Sequence, residues 1–322
     1  MIKYSQYLTI IAKINQILTY VLKSSKIRAL GVFMKIAIAT DSNSGLHPNE
    51  VEGTNIFLLP MPFLIDGEEY FENINLTANE FFQKQIAGAD IHTSQPNIFA
   101  LTNFWTDILN EYDAVIYIPM SSALSASTET AKNLGSEPDF QGKVFVVDNQ
   151  RISLSQKQSV FDAQKLAEEG KNPQEIVKYL EDTKTENSIY IMVPDLKYLK
   201  RGGRITKTAA MIGTLLKIKP ILQIQGGKLD SFAKALTLKK AKETMIAAVK
   251  KDIETRFSEQ FKNNKLNISV AYTFDKALGE EFKQEIQSAL PNVNITWVNP
   301  LSLSISCHIG PNAVAVAISS IY

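Results

Sequence analysis

The chain has 322 residues, 45% of them hydrophobic and 21% charged, with 34 basic residues against 33 acidic ones. That length predicts two domains, since single cores rarely grow past about 250–300 residues, and 12 Pro with 15 Gly exclude a low-complexity or collagen-like chain. A net charge of +1 argues against a dedicated binder of nucleic acid or another polyanion.

Cys307 is the only cysteine. No intrachain disulfide forms and no cysteine-based zinc site can be built. His47, His92 and His308 lack the mutual spacing of metal ligands. No run approaches 18 uninterrupted apolar residues, so no transmembrane helix is predicted. A reducing, cytoplasmic compartment is the expectation. Neither a Gly-x-x-x-x-Gly-Lys-Ser/Thr loop nor a Gly-x-Gly-x-x-Gly after a strand is present, and no cofactor is expected.

Residues 1–33 carry Lys3, Lys13, Lys23, Lys26 and Arg28 and no acid, which leaves 29 basic against 33 acidic residues in the remainder. Composition shifts at Phe33-Met34-Lys35. This basic N-terminal extension reads as an over-extended gene start, with Met34 as the true beginning. A signal peptide is disfavoured, because Lys13, Asn15 and Gln16 break the apolar run and no small-residue cleavage site follows. A basic amphipathic helix in transient contact with anionic lipid is the other reading.

Lys35–Thr40, Ala114–Ile118 and Val144–Val147 are near-continuously apolar, as strands buried on both faces are. Each leads into a polar loop. Ile98, Leu101, Trp105 and Ile108 recur at helical spacing behind Pro96, which predicts a helix beginning at that proline. A second helix runs from about Ser155 to Glu169 and stops at Gly170. Strand–loop–helix repetition implies an open parallel α/β sheet, with ligands at the carboxyl ends of its strands.

After about Lys184 the pattern changes. Ser188–Val193 reads as a strand, Gly202-Gly203 as a turn, and Thr206–Leu216 as a helix. Lys219–Gln225 and Lys228–Phe232 flank Gly226-Gly227 as a β-hairpin. Thr237–Phe261 reads as one long helix. Asn267–Phe274 and Asn292–Val298 are strands around a helix near Glu280–Leu290. The fold class is therefore α/β. A three-layer parallel-sheet domain over residues 34–185 is followed by a mixed-sheet α/β domain over residues 186–322.

Three loops could carry chemistry. In His92-Thr93-Ser94-Gln95-Pro96-Asn97 the hydroxyls and a helix N-terminus form a small anion site or an ordinary cap. Ser121 to Thr128 holds five hydroxyls in eight residues, more than one cap needs. A serine nucleophile there would need a base, and the strained Gly-x-Ser-x-Gly turn of hydrolases is absent. His308, before Gly310-Pro311, reads as a loop residue able to meet a carboxylate or phosphate, and Cys307 as a buried small residue. Lys197, Lys200, Arg201 and Arg204 cluster around Gly202-Gly203 as a solvated turn or a docking surface for an acidic partner. Asp41-Ser42-Asn43-Ser44 after the first strand is a weak signal of a phosphoryl or metal site.

Together these pieces resemble the DegV family of bacterial fatty-acid-binding proteins from Met34 onward. The resemblance rests on Ile38-Ala39-Thr40-Asp41-Ser42, Ile65-Asp66-Gly67-Glu68-Glu69-Tyr70, Thr93-Ser94-Gln95-Pro96 and Ser121-Ser122-Ala123-Leu124-Ser125. Leu199-Lys200-Arg201-Gly202-Gly203-Arg204-Ile205, Lys219-Pro220-Ile221-Leu222 and His308-Ile309-Gly310-Pro311 complete it in the same order. It implies one long-chain fatty acid held between two domains, with no catalytic activity in the protein alone. It implies that some members dock with the ATP-binding subunit of a fatty acid kinase, which phosphorylates the bound carboxylate for phospholipid synthesis. On this resemblance Thr93, Ser94, Ser125 and His308, with the amides of Ala126 and Ser127, meet the carboxylate, and Arg204 faces the partner or its phosphate.

The chain departs from the family pattern at Asn97, at Ser125-Ala126-Ser127, at Asp148-Asn149 and at Lys234-Ala235-Leu236. Two rival functions remain at this level. One is a lipid hydrolase or acyltransferase using Ser125 with His308. The other is a lipid carrier without a kinase partner.

Overall fold

Strand β1 (Ile36–Asp41) is buried along its whole length, its apolar run Ile36–Ala39 and the polar Thr40 and Asp41 alike. The computed structural model describes residues 34–212 and 218–322. The N-terminal extension expected over residues 1–33 and the last residues of the helix expected over Thr206–Leu216 lie outside the described residues.

After β1 come a short helix α1 (Pro48–Val51), β2 (Ile56–Leu59), β3 (Pro62–Ile65) and β4 (Glu68–Phe71). Then follow α2 (Ala78–Ala87), β5 (Ile91–Thr93), α3 (Ile98–Leu109), β6 (Ala114–Ile118) and α4 (Ser127–Gly135). This half of the chain closes with β7 (Val144–Val146), α5 (Leu154–Glu168) and α6 (Pro173–Asp182). The parallel sheet has the order β2-β1-β6-β7. Its two central strands are fully buried, because helices cover both faces. Ile38, Ile116 and Val160 pack on one side, and Ala37, Trp105 and Val115 on the other.

Helix α3 starts at Ile98, two residues later than Pro96 predicts. Asn97 is the cap, its side chain accepting from the Ala100 amide at 2.7 Å. A carboxamide can satisfy a free helix donor, which a proline cannot. Strands β3, β4 and β5 form a small antiparallel sheet of order β4-β3-β5 that the sequence reading does not anticipate. Its hairpin turns at Asp66-Gly67, both with positive φ, and pairs Ile65 with Glu68. Asp-Gly is a two-residue hairpin signal; the strands around it are only four residues each, too short to show alternation.

The second half supplies β8 (Asn187–Met192), α7 (Lys197–Gly202), α8 (Lys207–Ile212), β9 (Lys219–Ile224) and β10 (Asp230–Ala235). It ends with α9 (Leu238–Glu254), α10 (Ser258–Lys262), β11 (Leu266–Tyr272), α11 (Lys276–Ala289), β12 (Ile295–Pro300), α12 (Leu303–Ile309) and β13 (Val314–Ser320). Six strands form a mixed sheet of order β10-β9-β8-β13-β11-β12, in which only β11 and β12 run parallel. The predicted hairpin is the β9–β10 pair.

Three elements differ from expectation. Gly202 is not in a turn but ends α7, and Gly203 caps it at φ 68. The long helix predicted over Thr237–Phe261 breaks after Glu254. There the Phe257 amide reaches back to the Asp252 carbonyl at 2.9 Å, and the Phe257 ring is buried. His308 is not in a loop but in the last turn of α12. Ser302 caps that helix by accepting from the Ile305 amide, and Gly310 ends it with φ 80. Six of its seven residues are buried, so it lacks the polar face by which a sequence announces a helix. Among the described residues no helix is long and apolar enough to cross a membrane.

Candidate functional site

The carboxyl ends of β1, β6 and β7 open onto one cavity of about 180 Å³. Asn43 follows β1, Met120, Leu124 and Ser125 follow β6, and Ile152 follows β7 in its wall. The opposing wall comes from Leu199, Arg204, Leu229, Ile305 and His308. Thr93, Ser94 and Gln95 complete the rim. A ligand at the strand ends is what an open α/β sheet favours.

Asp41 sets the geometry of this edge. It is fully buried at the end of β1 and accepts from the Asn43 amide at 3.0 Å, the Met120 amide at 2.9 Å and Gln156 Nε2 at 3.3 Å. Burial pushes its carboxyl up to about 6 against these bonds. Asn43 then donates to the Met120 sulfur at 3.1 Å. The Asp41 loop therefore ties two strand ends together, and its asparagine reaches the cavity.

The hydroxyl-rich segment after β6 separates into structural and free groups. Ser121 Oγ accepts from the Ala123 amide, Ser122 Oγ donates to Asp148, and Thr128 Oγ1 donates to the Met120 carbonyl at 2.7 Å. Ser127 is buried, begins α4 and lies outside the cavity lining. Its amide donates to Ser125 Oγ at 3.2 Å. Ser125 and Ala126 line the cavity, and the Ser125 hydroxyl keeps its own proton to donate.

Thr93 Oγ1 and His308 Nε2 share a hydrogen bond of 2.9 Å across the cavity rim. Burial, then the nearby guanidinium groups of Arg204 and Arg201, lower the imidazole to about 4. At neutral pH it is uncharged. Arg204 donates from Nε to the Leu124 carbonyl at 3.3 Å and from a terminal nitrogen to the Gly202 carbonyl. These bonds fix the fork at the rim. Arg201 instead turns to the Ile91 carbonyl at 3.2 Å.

Thr93, Ser94, Ser125, Ala126, His308 and Arg204 are thus brought together, while Ser127 stands behind them. None of the first residues of α3 lines the cavity, so this loop contributes its hydroxyls rather than its helix terminus. Sequence reasoning misses Ser304 and Ile305 because α12 is buried on nearly every side. Asn43 lies in the Asp41 loop, where the sequence signal is weak.

A second, inner cavity of about 50 Å³ shares Ile152, Leu229, Ile305 and Ile309 with the first. Ile189, Ile191, Leu301 and Ala315 extend its apolar wall. A polar rim with an apolar interior suits an amphiphile with one anionic end.

The sequence profile described as "Uncharacterised protein, DegV family" matches residues 35–320. The chain belongs to the DegV family. A DegV domain-containing protein of Staphylococcus aureus (strain N315) is 30% identical over 284 residues, which cover 88% of this chain and 98% of that protein. One of Streptococcus pyogenes serotype M1 is 30% identical over 290 residues, covering 88% and 97%. Among solved structures, the fatty-acid-binding DegV family protein of Thermus thermophilus superimposes with a TM-score of 0.80 at 29% identity, covering 89% of this chain and 100% of that one. DegV of Bacillus subtilis, a fatty acid binding protein, gives 0.76 at 28% identity, covering 89% and 99%. The DegV fold thus accounts for the mixed α/β architecture.

Proposed function

We propose that this DegV protein binds one long-chain fatty acid and presents its carboxylate to the ATP-binding subunit of a fatty acid kinase. The observation that carries the reading is the pair of adjoining cavities with shared lining residues, one with a polar rim and the other apolar. Residues 34–185 and 186–322 act as two domains closing on the acyl chain, and both contribute lining residues. A sixteen-carbon chain buries about 15 methylenes, worth roughly 12 kcal/mol before ordering costs.

At the rim the carboxylate receives hydrogen bonds from Ser94 and Ser125, with Thr93 and His308 beside it. A carboxylate leaving water needs such donors. Arg204, fixed at the same rim, faces the phosphoryl group as it arrives. The described relatives of Thermus thermophilus and Bacillus subtilis bind fatty acids, which supports the ligand class.

The serine-hydrolase reading is less well supported. His308 pairs with Thr93 rather than Ser125, and an imidazole lowered to about 4 is a weak base at neutral pH. The protein is therefore read as a binding subunit without activity alone. Mass spectrometry of lipid extracted from the purified protein tests the proposal. One fatty acid per chain is the expected result. No lipid, together with failure to take up added fatty acid, would overturn it. Adding a candidate kinase with ATP then asks whether the ligand becomes an acyl phosphate; none forming would leave a carrier without that partner.

A further inference from the structure

A third cavity, of about 290 Å³, shares no lining residue with the rim cavity or the inner one. Leu46, Val51, Ile56 and Leu58 give it an apolar wall beside β2, the edge strand of the parallel sheet. Glu72 and His47 are the titratable side chains in its wall, and no lysine or arginine lines it. An apolar pocket with few polar groups is the usual form of a small-molecule site.

Glu72 is half-buried where the chain leaves β4. One carboxylate oxygen accepts from the Leu303 amide at 2.9 Å. The other has no partner among the described residues, yet it is not sealed in the interior. Glu50, on α1, differs: Lys157 pairs with it at 2.6 Å. Burial pushes the Glu72 carboxyl up to about 7. A carboxylate withdrawn from water without a countercharge is costly, and a cation beside it removes that cost.

The turn after Glu72 sets an apolar group at the same cavity. Asn75 accepts from the Phe71 amide at 2.7 Å, and the Ile74 amide donates to the Phe71 carbonyl at 3.2 Å. Ile74 is thereby held in the cavity wall while 67% exposed. A bare metal ion does not suit this wall, since such an ion needs several oxygen or nitrogen ligands. Among the described residues no cluster of three metal-ligating side chains exists.

We propose that this cavity is a second ligand site, which takes a small organic ammonium ion whose nitrogen pairs with the free oxygen of Glu72. A compact hydrocarbon body then lies on Leu46, Val51, Leu58 and Ile74. The site is separate from the fatty-acid reading, because the cavities share no lining residue.

Calorimetric titration of the purified protein at about pH 8, where a carboxyl titrating near 7 is ionised, compares phenethylamine with phenethyl alcohol and hexylamine with hexanol. Each amine should bind at least about tenfold more tightly than its alcohol, the effect of one charge-assisted hydrogen bond. Glu72→Gln keeps an acceptor for Leu303 and should abolish that preference. Ile74→Ala, at an exposed position that tolerates truncation, should weaken amine and alcohol alike by about threefold through lost apolar cover. The inference is overturned if amine and alcohol bind equally in the parent, or if the preference survives in Glu72→Gln. It is overturned also if Ile74→Ala leaves both affinities unchanged, an outcome that decides the matter even should the Glu72 variant fail to fold. Stearic acid uptake should be unaltered in the Ile74 variant, so failure of the fatty-acid reading and failure of this site are read separately.

Discussion

A Cβ placed on Gly202 would fall 2.0 Å from Nδ1 of His308, so the helix ending at Gly202 meets the helix carrying His308 with no side chain between them. The imidazole is held on one face by that bare backbone and bonded on its other nitrogen to Thr93 at 2.9 Å.

Gly202→Ala should therefore destabilise the protein. In a helix this exchange ordinarily helps by about 0.5–1 kcal/mol. Here the clash should reverse the sign, costing about 1–3 kcal/mol as an overpacked site does. Denaturant unfolding and ligand retention should both fall. A variant as stable as the parent would contradict the close approach.

His308 should stay neutral through the physiological range. Its folded value is lowered to about 4 by burial and by Arg204 and Arg201, against about 6.5 in the unfolded chain. Between these values the unfolded state binds the extra proton. The stability contributed by this group is thus complete above about pH 6.5 and lost as pH falls towards 4. An imidazole proton resonance, assigned with His308→Gln, should titrate near 4; a midpoint near 6.5 in the folded protein would refute this.

Glu72 should act with the opposite sign. Burial pushes its carboxyl up to about 7, opposed by the bond it accepts from the Leu303 amide at 2.9 Å, at the start of α12. The folded chain then holds a proton that the unfolded chain releases. The stability from this group is present below about 4.5 and lost as pH rises through 7. Glu72→Gln keeps an acceptor for Leu303 and should flatten the decline in stability between pH 5 and 8. An unchanged slope would show that Glu72 is ionised throughout.

Ser125→Ala and Arg204→Ala should separate binding from transfer. Loss of the Ser125 hydroxyl, which accepts from the Ser127 amide and is free to donate, should weaken fatty acid binding about tenfold. Arg204→Ala should leave binding close to normal and impair the kinase-dependent step. Equal losses of both properties in both variants would contradict the division of roles.

What the sequence by itself determined is local and periodic. The apolar runs at Lys35–Thr40 and Ala114–Ile118 are too short for a buried helix and read as strands buried on both faces. Their polar exits had to lie at the ligand edge of an open sheet. The order of short segments from Thr40-Asp41-Ser42 to His308-Ile309-Gly310 was enough to suggest the family. Tertiary structure alone decided which of those groups are free. Four of the five hydroxyls between Ser121 and Thr128 stand outside the cavity lining, three of them hydrogen-bonded within the fold, leaving Ser125 at the cavity. Thr93 and His308 are 215 residues apart in the chain. The α12 helix has almost no solvent face to give it a period. Such pairings depend on how distant elements pack, and neither propensity nor spacing encodes them.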